Sequence, residues 1–155
     1  MKKLLLIVTI LAMSISSICF ASDGSNLDAE QKIATAVLNV YYKNGNAEEV
    51  KQFCSADFSK NFLATTGLEK IRKESKDAFG SLKGAFFVAY AKFNIADKDK
   101  KVTPVNQVSF RGVGDKDTPI DYVFLFDVSG KKPILASMRV NVLKAQPKAN
   151  SEETK

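Results

Sequence analysis

Asp121-Tyr-Val-Phe-Leu-Phe-Asp-Val128 and Pro133-Ile-Leu-Ala-Ser-Met-Arg-Val-Asn-Val-Leu143 decide how this chain is built. Each stretch is rich in aromatic and aliphatic residues and is bounded by turn residues, the composition of a strand. Ser129-Gly130-Lys131 between them supplies a turn. One face of the pair is predicted to carry Tyr122, Phe124, Phe126 and Val128, then Ile134, Ala136, Met138, Val140 and Val142. Such a face must be covered, and the residues upstream are read as its cover. The opposite face presents Val123, Leu125 and Asp127, then Leu135, Ser137, Arg139 and Asn141.

Upstream of this hairpin the period of two continues. Phe86 to Ile95 reads as a strand, with Tyr90 and Lys92 expected on the outer face. Val105 to Val113 reads as a second strand and adds Ser109 and Arg111 to that face. The polar run from Ala96 to Lys101 and the turn from Gly114 to Pro119 connect them. Before Gly80 the period is helical. Ile33, Val37, Val40 and Tyr41 recur at helix spacing after a capping signal at Ser25, and Asn44-Gly45 closes that helix. Asn46 followed by Glu49 opens a short second helix, and Thr66-Gly67-Leu68-Glu69 opens a third that runs to about Phe79. Lys70, Arg72, Lys73, Glu74, Lys76 and Asp77 form the solvated side of the third helix. Helices followed by consecutive strands with short connectors predict an α+β domain, with N-terminal helices packed on a curved four-stranded antiparallel sheet over residues 27–143.

The ends read differently. Lys2 and Lys3 precede an apolar run from Leu4 to Met13, and Cys19-Phe20-Ala21 offers a cleavage site, so residues 1–21 are read as a signal peptide of bacterial type. Ile18 is too bulky for the position before a lipid-modified cysteine, which argues against an anchor at Cys19. The expected location is periplasmic or secreted, with the membrane met only through the leader. Residues 144–155 lack apolar periodicity and read as a disordered tail.

Of the two cysteines, Cys54 alone would survive cleavage, so no internal disulfide can form. The net charge of +6 is spread along the chain, unlike the clustered charge of a nucleic-acid surface. With no histidine, imidazole bases and imidazole metal ligands are excluded. No phosphate loop, metal-ligand cluster or nucleophile elbow is found, and no cofactor is expected.

The order of elements, with Tyr42-Lys-Asn-Gly-Asn-Ala-Glu-Glu-Val50, Asp57-Phe58 and Phe126-Asp-Val-Ser-Gly130, resembles the nuclear transport factor 2-like superfamily. That resemblance implies helices wrapped by a curved sheet into a cone with an interior pocket. It also implies a possible chemistry, since enzymes of this group that resemble ketosteroid isomerase use a pocket carboxylate with tyrosine donors. Asp57, Asp127, Tyr41, Tyr42, Tyr90 and Tyr122 are the residue types available for it. Two functions are therefore carried forward. The first is a non-catalytic binding or adaptor module whose outer sheet face takes a protein partner or a second copy, through Tyr90, Lys92, Arg111, Val123, Leu125, Asp127 and Arg139. The second is a small cone-pocket enzyme of isomerase or dehydratase type. A filled apolar interior favours the first, and an open cavity with a buried acid and tyrosine favours the second.

Overall fold

The computed structural model describes residues 26–143, apart from 97 and 116. The proposed leader and tail lie outside the described residues. The chain forms α1 (Leu27–Tyr42), α2 (Ala47–Lys51), α3 (Ala56–Phe58), a π-helical turn (Ser59–Leu63) and α4 (Thr65–Phe79). Strands β1 (Leu82–Ala96), β2 (Val102–Gly114), β3 (Pro119–Asp127) and β4 (Ile134–Val142) follow and pair antiparallel in chain order, leaving the sheet open. This is the expected α+β arrangement.

The helix ends follow local chemistry, with two departures from expectation. Asn26 caps α1, and the expected cap Ser25 lies outside the described residues. The Asn26 side chain accepts from Ala29 N at 3.0 Å, while Glu30 reaches back to accept from Asn26 N at 3.2 Å. Asn44 takes the left-handed conformation (φ 57°) just beyond α1, as anticipated for an asparagine there. Asn46 caps α2 by accepting from Glu48 N. Thr66 does not open α4. It lies inside the helix, which starts at Thr65 after Ala64 without a side-chain cap.

Helix α1 supplies the centre of the core. Ile33, Ala34, Val37, Leu38, Val40 and Tyr41 are buried with Val108, Phe110, Tyr122, Phe124 and Phe126 of the sheet. Residues facing each other across a ladder share one face, so the register assigns the inner layer. Tyr122 lies opposite Phe110, and Phe124 opposite Val108 and Met138. Gly112 makes room for the Tyr122 ring, since a Cβ there would stand 3.0 Å from Tyr122 Cε2. Tyr42 meets Tyr122 and Phe79 edge-on and shares a hydrogen bond with Ser75 of α4.

Arg72 departs from its expected place on a solvated helix face. It turns inward and donates to Val40 O (2.6 Å) and Tyr41 O (3.2 Å). Those carbonyls lie in the last turn of α1, where the helix has run out of its own donors. One guanidinium on α4 thereby finishes α1.

The pairing has three register shifts, one of them at the start of β1 between Leu82 and Gly84, and the other two change which of the expected residues face the helices. In β4 the register shifts opposite Leu125/Phe126, so Phe126 pairs with Leu135 and Leu125 with Ser137. Ala136 is the extra residue, and it is exposed. Leu135 therefore belongs to the core, where it is fully buried, and Ile134 shares the outer face with Asp127. The alternation read from sequence had these two reversed. Met138, Val140 and Val142 regain the inner phase, opposite Phe124, Tyr122 and Ile120. The second bulge lies in β1 between Phe87 and Ala89.

Candidate functional site

The outer face of the sheet is the side turned from the helices. Phe86 pairs with Arg111, and Arg111 with Asp121. Ser109, Val123 and Arg139 form the next row across β2, β3 and β4, followed by Gln107, Leu125 and Ser137 and then by Val105, Asp127 and Ile134. Arg111, Val123, Leu125, Asp127 and Arg139 thus share one face as expected.

Tyr90 and Lys92 do not join them. Val88 is the unpaired residue of the β1 bulge, and beyond it the strand changes phase. Tyr90 lies opposite Val108 and Lys92 opposite Asn106, both on the helix side. Tyr90 packs on the core, with the Lys92 ammonium 5.7 Å from its ring centre, a cation–π contact. The residues that β1 does turn outward past the bulge are Ala89, Ala91, Phe93 and Ile95. The expected patch therefore becomes more apolar along that side than its sequence suggested. A single inserted residue carries no periodic signal of its own, so Val88 could not be recognised as the cause.

Two of the charges of this face pair with each other, and a third is held by a turn. Arg111 grips Asp121 through two bonds, Nε to Oδ1 at 2.8 Å and Nη2 to Oδ2 at 3.2 Å. The pair is solvent-facing and contributes little to stability. Asp127, which sequence alone offered as a partner for Arg111 or Arg139, instead accepts from Ser129 N (2.9 Å) and Ser129 Oγ (2.6 Å), fixing the turn into β4. Among the described residues no helix or strand is layered on this face, and the core cluster lies wholly on the other.

The interior was the place to look for chemistry. Tyr41, Tyr122, Phe124 and Phe126 fill it and are almost completely buried. Burial pushes the Tyr41 and Tyr122 phenols well above their usual range. Asp57 is exposed in α3, and Asp127 stands on the outer face, so neither carboxylate reaches these tyrosines. The buried acid among the described residues is Glu30, which the sequence reading did not single out. Its Oε1 accepts from Asn106 Nδ2 at 2.7 Å, and its Oε2 is buried without a hydrogen-bond partner. Asn106 lies opposite Phe126, and the Val108–Phe124 row separates it from Tyr122. A groove of about 430 Å³ runs beside α1, lined by Asp28, Gln31, Lys32, Thr35, Ala36, Asn39 and Phe110, and it is open to solvent. Among the described residues, no group of three or more acidic, cysteine or histidine side chains could hold a metal ion.

Cys54 is half-buried beside β4. Its Sγ donates to Val50 O at 3.4 Å, and burial pushes the thiol up to about 12. The thiolate is the reactive form, so alkylation at pH 8 is expected to run at least about a hundredfold slower than for an ordinary thiol. Mass spectrometry of timed samples measures this, and labelling at the free-thiol rate would refute it. The linkage has a definite sign. An unfolded cysteine ionises near 9.0, below the folded value, so stability falls as pH rises from there towards 12.

No family model, curated protein or solved structure matches this chain. No described helix is long and apolar enough to cross a membrane.

Proposed function

We propose that the chain, after loss of residues 1–21, is a non-catalytic binding module of the bacterial envelope, periplasmic or secreted, that takes a protein partner on the outer face of its sheet. The observation that carries this reading is the contrast between the two faces. The inner layer is filled by aromatic side chains, with none of the expected candidate carboxylates among its tyrosines. The outer layer holds Val123, Leu125 and Ile134 half-exposed beside Arg111 and Arg139. Arginine among aliphatic residues on an uncovered surface is the composition of a protein interface, where binding energy concentrates in a few central side chains.

Val123 and Leu125 occupy the middle strand of the exposed group, so substituting both with lysine addresses the centre of the proposed contact. The Val123→Lys/Leu125→Lys protein is expected to keep its circular dichroism spectrum and to lose more than about tenfold in recovery of its partner from envelope extract. Recovery equal to that of the unaltered protein would remove the outer face from consideration.

A further inference from the structure

The sheet has two edges, and they are finished differently. Unpaired edges are templates for other strands, and proteins blunt them with bulges, charges, proline or covering segments. On β4 the devices are present. Leu135 N donates to Phe53 O (2.8 Å) and Ser55 N to Leu135 O (2.9 Å), so a helical-half segment covers that edge. Ala136 bulges next to it, and Ser137, Arg139 and Asn141 follow. On β1 the devices stop halfway. Lys83, ion-paired to Asp117 at 2.9 Å, and the bulge at Val88 protect the first half. From Ala89 to Ala96 the ladder to β2 is regular, and among the described residues β1 pairs with no other strand. This half carries Ala89, Ala91, Phe93, Ile95 and Ala96 with one charge, Lys92. Phe93 is 38% and Ile95 43% exposed.

We propose that this edge pairs with the same edge of a second copy, antiparallel about a two-fold axis normal to the sheet, joining two sheets into one. The register follows from the residues. Opposed residues must lie on the same face, so an outward residue meets an outward one. Between the bulge and the end of β1, two registers satisfy this with the longest overlap. One centres on Lys92 and sets that ammonium opposite its own copy, which is repulsive. The other centres on Phe93, pairs Tyr90 through Ala96, and sets Lys92 opposite Asn94, Ala91 opposite Ile95, and Phe93 opposite itself as an aromatic cross-strand pair. The segment is complementary to itself in that register alone, which favours a second copy over a foreign strand. A seam of this length is small by the standard of stable interfaces, so the dimer is concentration-dependent.

Sedimentation of the purified protein from micromolar to near-millimolar concentration is expected to show monomer passing to dimer. Phe93→Lys, which opposes two ammonium groups at the axis from an exposed position, should abolish the dimer without altering the circular dichroism spectrum. With Cys54→Ser as background, Phe93→Cys should cross-link to itself under mild oxidation, because opposed Cα atoms about 4.5–5.5 Å apart suit a disulfide. Ala91→Cys should not. A chain that stays monomeric throughout, a dimer that survives Phe93→Lys, or equal cross-linking at Ala91 and Phe93 would each overturn the proposal. The Val123→Lys/Leu125→Lys protein should dimerise normally. Dimer loss in that protein instead would place self-association on the outer face, and unchanged partner recovery by Phe93→Lys separates this edge from the partner surface proposed above.

Discussion

Phe124→Ala is expected to lower the unfolding free energy by about 3–5 kcal/mol, the usual range for emptying an aromatic site in a packed core. Phe124 is fully buried in the central row of the inner face, with Val108 and Met138 opposite it and the Phe110 ring edge-on at 6.0 Å. Its neighbours are ladder-bound strands and a helix tied at both ends, so they cannot collapse far into the space. Urea unfolding measures the effect, with the midpoint moving down and the slope unchanged. A loss below about 1 kcal/mol would mean a loosely filled interior and would return the pocket-enzyme reading to favour.

Asn106→Leu is expected to cost about 2–3 kcal/mol, although it adds apolar surface to a core position. The substitution removes the shorter of the two bonds to Glu30 Oε1, leaving the one from Asn26 N at 3.2 Å, while Oε2 already lacks a partner. A buried carboxylate that loses its strongest donor goes under-satisfied and bears much of its desolvation cost, whereas removing both partners together can be nearly neutral. The Glu30→Leu/Asn106→Leu double substitution should therefore recover most of the loss. Equal destabilisation by the single and double substitutions in urea would show that the two side chains are uncoupled. The pair also connects the first turn of α1 to the middle of β2, so its loss should be felt first where α1 begins.

Much of this architecture was written in periodicity. The alternation of Tyr122, Phe124, Phe126 and Val128 placed the floor of the core correctly, because β3 is a central strand without irregularity on its own side. Asn44 and Asn46 marked helix boundaries because their side chains and backbone freedom act locally. What stayed hidden depends on contacts made across the sequence. The phase of Tyr90 and Lys92 turns on Val88, and that of Ile134 and Leu135 on Ala136. Arg72 looked like any other charge on α4, since nothing in a charged run tells which member will meet a helix end from another element. Glu30 stood in an ordinary first turn, and nothing near it in sequence announces the bond from Asn106. For the outer face, five of the seven expected residues are together, and the two that left did so for the same reason that brought Phe93 and Ile95 out.

The bonds of Leu135 to Phe53 and Ser55 also bear on time. The hairpins of the sheet join neighbours in sequence and can zip as the chain emerges from the ribosome. The segment between α2 and α3 cannot be fastened to the sheet until β4 has been made. Contacts of such separation slow folding. However early the hairpins form, the fold is therefore complete only once its last strand has been made, so the slowest step of assembly falls at the end.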